Sequence, residues 1–129
     1  MPAPQQETIM VSDTVCTLVP YFKVKPGQLA AFKAIAARFV EKTKSEKACV
    51  HYAFSFDGDT AHCREGYDDA AGLLAHLENV GAILDEALKI ADVARLEVHG
   101  PAAEVEKLRQ PLAGLKPQFF VLEPGGIRR

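Results

Sequence analysis

The chain has 129 residues, 48% of them hydrophobic and 25% charged, and a formal net charge of −2. That length suits one domain with one core, and the composition is that of a folded globular chain. Its fifteen basic residues are scattered, which excludes the broad attraction that nucleic acid or an anionic membrane surface needs, so neither is expected as a partner.

Three cysteines, Cys16, Cys49 and Cys63, are an odd number without CxxC spacing, so neither a disulfide framework nor a zinc site is expected. All fall in strand-like segments, which predicts buried, reduced thiols and a cytoplasmic location. Residues 1–12 lack the charged start and apolar stretch of a signal peptide and read as a flexible leader. No apolar run approaches the ~18–20 residues of a membrane helix.

The first strand is expected over residues 14–24, rich in β-branched and aromatic side chains. Pro20 interrupts it and predicts a bulge or an outward-facing edge position, because proline gives no hydrogen to the ladder. After Pro26-Gly27, Leu29, Phe32, Ile35, Ala36, Phe39 and Val40 recur at helical spacing, predicting an amphipathic helix to about residue 45. A second strand at 48–56 and a third at 60–67 flank Asp57-Gly58-Asp59, a hairpin signal.

Asp68-Asp69 predicts the N-cap of a second helix, whose stripe is Leu73, Leu74, Leu77, Val80, Leu84 and Leu88. Gly81 predicts a break near residues 78–81. A fourth strand at 92–100 ends at Gly100-Pro101, a short helix follows at 102–110, and residues 118–122 read as a last short strand.

The order βαββαβ predicts an α+β, ferredoxin-like antiparallel sheet with both helices on one face. Residues 13–100 form this unit, and residues 101–129 an extension packing on it or on a partner. In strand two, Val50, Tyr52, Phe54 and Phe56 read as core. The intervening His51, Ala53 and Ser55 are small or mildly polar, and strand one is apolar on nearly every side chain from Val15 to Phe22. A sheet with both faces apolar needs covering on both, and a homodimer supplies the simplest cover.

His76 borders the buried stripe of helix two and can act as acid or base near neutral pH. The alternative is a core-edge histidine that is simply hydrogen-bonded. Glu65 and Tyr67 share a strand face. With a two-residue Asp57-Gly58 loop, Tyr52 lies opposite Cys63 and His51 opposite Arg64. Tyr52, Glu65 and Tyr67 then face the helices, where a desolvated carboxylate gains a raised pKa. With a three-residue loop, His51 lies opposite Glu65. The sequence leaves both registers open, and leaves open pairing of Glu65 with a basic residue at the sheet rim. His51, His62 and Arg64 belong on the other face in the two-residue register. No metal is expected, because alternation separates Glu65 from His62. His99 is expected in solvent. GxSxG, P-loop, GxGxxG and HExxH motifs are absent.

The runs Cys49 to Asp59, Cys63-Arg64-Glu65-Gly66-Tyr67 and Ala75-His76-Leu77-Glu78-Asn79-Val80-Gly81 resemble the antibiotic biosynthesis monooxygenase-like family, over roughly residues 14–100. The resemblance implies a dimeric α+β barrel, no cofactor, and a monooxygenase-like activity on a small aromatic or enolisable substrate. In that reading His76 and Glu65 are catalytic, and Tyr52, Tyr67, Phe54, His51 and Arg64 bind substrate. The alternative is a non-catalytic dimeric binding or structural module of the same fold.

Overall fold

The computed structural model describes residues 13–129, and the expected leader lies outside the described residues. The strands are β1 (Cys16–Val24), β2 (Cys49–Asp57), β3 (Thr60–Tyr67), β4 (Ala91–Gly100) and β5 (Gln118–Val121). The helices are α1 (Leu29–Thr43), α2 (Ala70–Asn79), α3 (Gly81–Ala87) and α4 (Ala102–Arg109), and a 3₁₀ turn spans Ala113–Leu115. The sheet order is β2-β3-β1-β4-β5. The first four strands run antiparallel, as a ferredoxin-like α+β fold requires, and β5 joins parallel to β4. The fifth strand, whose direction the sequence leaves open, lies parallel because α4 and the 3₁₀ turn form a crossover that carries the chain back to its starting end.

α1 buries Phe32, Ala36, Phe39 and Thr43, one face at helical spacing. Phe32 and Phe39 pack with Phe22, Val24, Ala61, Val80 and Ile83. A second cluster joins Cys16, Leu18, Tyr67 and Leu73 to Val98, Leu108 and Leu112. Each fully buried Leu, Val or Phe contributes about 1.5–3 kcal/mol, so these two clusters fix the helical layer against one sheet face. The opposite face carries Tyr21, Ala53, Ser55, His62 and Arg64, half-buried or exposed, and the two core clusters take no side chain from it. On it, Tyr21 and His62 stack with ring centroids 4.5 Å apart, and His62 Nδ1 lies 2.9 Å from the Pro20 carbonyl oxygen.

The second helix breaks where Gly81 predicts, with Val80 at φ −102° ending α2 and preceding α3. The Asp69 carboxylate accepts the Gly72 N–H at 2.8 Å, satisfying one of the free donors of the first turn.

Four local expectations change. The hairpin loop is Gly58-Asp59, with Asp57 paired to Thr60, so Tyr52 lies opposite Glu65, Ala53 opposite Arg64 and His51 opposite Gly66. Gly58 takes φ +60° and Asp59 does not, the pattern of a turn with glycine first. Asp59 is pinned there by accepting the Val24 N–H on its carbonyl and the Lys23 ammonium on its carboxylate. Val50 is half exposed rather than core, because β2 gains a residue between Cys49 and His51 and that bulge turns Val50 outward. Of the two alternatives at Pro20, the edge position falls, since Pro20 is buried in a central strand, and the bulge holds, beside it at Tyr21/Phe22. His99 is half-buried, stacked on Phe120 with centroids 4.6 Å apart and bonded to Glu97, because β5 covers that side of β4.

Asp69→Ala is expected to lower stability by about 1 kcal/mol, the typical cost of losing an N-cap. Urea denaturation measures it, and an unchanged midpoint would show that the cap contributes nothing.

Candidate acid–base site

β3 turns Cys63, Glu65 and Tyr67 toward the helices by simple alternation, and the Gly58-Asp59 turn places Tyr52 beside Glu65. The Tyr67 hydroxyl donates to Glu65 Oε1 at 2.5 Å. Cys63 is buried on the same face of β3, two residues before Glu65. From α2, His76 enters between two tyrosines, its ring centroid 5.0 Å from those of Tyr52 and of Tyr67. Its Nε2 lies 3.5 Å from Glu65 Oε1. Its Nδ1 lies 2.9 and 3.1 Å from the two oxygens of Glu46, on the loop between α1 and β2. Asn79, one helical turn after His76, donates to Glu46 at 2.8 Å and to the Lys42 carbonyl at 3.2 Å.

The Glu65 and His76 side chains are 4% and 2% exposed, so water screens neither. Burial pushes the Glu65 carboxyl up from the usual 4.5 to about 8; hydrogen bonds from Tyr67 and Cys63 oppose the rise, and the charge of Glu46 adds to it. Burial likewise holds His76 below its ordinary value, against the hydrogen bond and charge of Glu46. Burial and the neighbouring Glu65 raise the Tyr52 and Tyr67 hydroxyls, which stay protonated. The resting arrangement at neutral pH is therefore a carboxylic acid beside a neutral imidazole. Glu46, an acceptor, fixes the imidazole proton on Nδ1 and turns the Nε2 lone pair toward Glu65.

This cluster forms the inner end of an apolar pocket between the sheet and helices α2 and α3. The pocket encloses about 70 Å³, room for a few waters. Tyr52, Cys63, Glu65 and His76 are its polar side chains, Phe22, Phe39 and Phe54 are among its walls, and the exposed Leu88, Val93 and Leu115 stand at its rim.

Of the residues nominated by sequence, His76, Glu65, Tyr52 and Tyr67 meet at one point, and Phe54 lines the same pocket. His51 and Arg64 sit on the opposite sheet face and do not join them. The His51 ring lies over Gly66, where a Cβ would come within 2.8 Å of Nε2, and its Nδ1 is buried without a hydrogen-bond partner. Glu65 pairs with Tyr67 and His76, not with a basic residue at the rim. Glu46 escapes sequence reading because a loop carboxylate 30 positions from His76 meets it only through the tertiary fold. Asn79 was legible, since a spacing of three places it on the face of His76.

No family model and no curated protein matches the chain. Solved structures do. A protein from Caulobacter crescentus provisionally described as an antibiotic biosynthesis monooxygenase aligns over 72% of this chain and 94% of its own, at 18% identity and a TM-score of 0.61. A protein from Chloroflexus aurantiacus, described in the same way, aligns over 69% and 94%, at 21% identity and a TM-score of 0.58. The fold is that of the antibiotic biosynthesis monooxygenase-like proteins. MupZ from Pseudomonas fluorescens aligns over 89% of this chain and 95% of its own, at 50% identity and a TM-score of 0.85. Within that fold group, the chain belongs to the same family as MupZ.

An acid whose folded pKa exceeds its unfolded value stays protonated while the unfolded chain ionises. Stability is therefore lost as pH rises from 4.5 through about 8. The lowered value of His76 acts in the opposite sense, but only below 6.5, above which the unfolded imidazole is also neutral. Between pH 6.5 and 8 the loss belongs to Glu65. Stability is expected to fall across that window by on the order of 1–2 kcal/mol, seen as a lower thermal midpoint. Glu65→Gln should flatten the fall, and an equal slope in that variant would refute the assignment.

Proposed function

We propose that the chain is an enzyme that moves a proton to or from a small, mostly apolar substrate at the inner end of this pocket. Glu65 exchanges the proton, His76 partners it, and Tyr52 and Phe54 orient the substrate, with Tyr67 holding Glu65 from behind. The observation that supports this most is a carboxyl group, paired with no cation, placed among apolar walls where its pKa approaches working pH. Such a group serves in either direction. As an acid it is protonated at pH 7. As a base it is far stronger than an ordinary carboxylate. The small enclosed volume admits the reacting end of a substrate and little more.

The likeness in fold to proteins provisionally described as monooxygenases supports a particular course. Ionised Glu65 takes a proton from a carbon beside a carbonyl or on an activated aromatic ring. The electron pair left behind bonds to O₂, and the resulting peroxide takes up the proton. Loss of water then leaves one oxygen atom in the product. The substrate supplies every electron, so the course needs no added cofactor.

The two parts separate experimentally. Small aromatic ketones with acidic C–H bonds, incubated in D₂O without oxygen, are expected to exchange hydrogen in the presence of the protein. His76→Ala should slow this by about 10²-fold or more. Oxygen uptake in air checks the second part: exchange without uptake would keep proton transfer and discard oxygenation. Ligand-induced thermal stabilisation with neither signal would assign the non-catalytic binding role instead.

We further propose that the sheet face bearing Tyr21, His62 and Arg64 packs on the same face of a second copy. The support is that the helical layer lies on the other side, leaving a stacked Tyr21–His62 pair and small Ala53 and Ser55 facing outward. Light scattering should report about twice the 14.0 kDa chain mass. A stable mass of one chain at micromolar concentration would refute it.

A further inference from the structure

A carboxyl that trades protons must reach equilibrium with solvent between turnovers, and Glu65 meets water only through a narrow pocket with mostly apolar walls. Its neighbours on β2 and β3 are Tyr52, Cys63 and Tyr67, and burial keeps each of these protonated. Glu65 itself is 4% exposed, so little of it meets bulk water directly. The imidazole of His76 is the one group touching Glu65 that can accept a proton on one nitrogen and release another from the opposite nitrogen. Its outer nitrogen meets Glu46, whose side chain is 11% exposed and so reaches water.

Resting on the proton-transfer reading above, we propose that Glu46 and His76 form a proton relay joining Glu65 to solvent, with Glu46 as its outer terminus and positioning residue. Outward, the Glu65 O–H proton passes to His76 Nε2 as the Nδ1 proton passes to Glu46, which releases it to water. The result is ionised Glu65 and a histidine carrying its proton on Nε2. Inward, water protonates Glu46, its proton passes to Nδ1, and the Nε2 proton returns to Glu65. An outward pass followed by an inward pass exchanges one proton with water and returns every group to its starting state.

The geometry is built for this. Glu46 presents both oxygens to Nδ1 within 3.1 Å. Asn79, tied to the Lys42 carbonyl, clamps Oε2 from the other side. Tyr52 and Tyr67 grip the imidazole between them, which holds Nε2 toward Glu65 through a proton shift. The remaining gap of 3.5 Å closes by a fraction of an ångström of side-chain motion.

Glu46→Gln tests the relay without disturbing its shape. The amide oxygen still accepts from Nδ1–H, but it cannot carry a proton through. Nitrogen NMR of the His76 ring should show the Nδ1–H tautomer in both proteins, confirming that the variant is folded and the ring in place. Infrared observation of the Glu65 acid band after rapid mixing with D₂O then measures proton traffic with no substrate present. Exchange is expected to slow by about tenfold or more in Glu46→Gln. Glu46→Asp, which keeps a carboxylate, should exchange nearer the wild-type rate. Equal rates in wild type and Glu46→Gln would overturn the relay, and so would Glu46→Asp as slow as Glu46→Gln. Because this readout needs no turnover, it stands apart from whether the protein acts on ketones: failure there leaves the exchange result intact, and the reverse.

Discussion

Burying a carboxylate without a cation costs several kcal/mol, and the chain meets that cost by keeping Glu65 protonated. The rest of the site follows from that constraint. A neutral acid needs acceptors and donors arranged around it, and Tyr67 and His76 supply them from one strand and one helix. The two aromatic rings that exclude water also orient the imidazole, so desolvation and alignment come from the same side chains. Glu46 completes the set by assigning the imidazole proton to the outer nitrogen.

The sheet explains why such a site is held firmly. β3 lies between β2 and β1, so the backbone of Glu65 is fixed on both sides. The helix that carries His76 starts at a defined cap and stops one turn after the histidine, at Val80. A short helix pinned at its N-terminus and packed through Leu73 cannot slide far without opening the second core cluster. The break before α3 lets the chain bend so that Val80 and Ile83 reach the first cluster. The glycine that weakens the helix thus allows both clusters to close.

Much of this was legible from the sequence because it rests on local rules. Alternation put Glu65, Tyr67 and Tyr52 on one face, and helical spacing turned His76 inward. Both registers considered at the hairpin missed the true loop by a residue or two. Even so, the two-residue reading kept the correct faces, because a shift of two positions preserves strand parity. The Val50 bulge and the β5 crossover were hidden. A bulge leaves no pattern in a short strand, and the direction of β5 depends on how far the preceding helix carries the chain. Glu46 was invisible for a different reason: its role is to meet a side chain thirty positions away, and nothing near it in sequence marks that meeting.

The short parallel β5 has a wider consequence. It caps one flank of the sheet with four residues, and its own backbone offers little length for further pairing. At the other flank, β2 has no further strand beside it among the described residues, and the free N–H and C=O groups of such an edge are the usual template on which a foreign strand polymerises. There the bulge at Cys49/His51 puts a kink into that template near its start and breaks its regular repeat. The half-exposed Val50 thus marks the point where that edge loses its regular spacing.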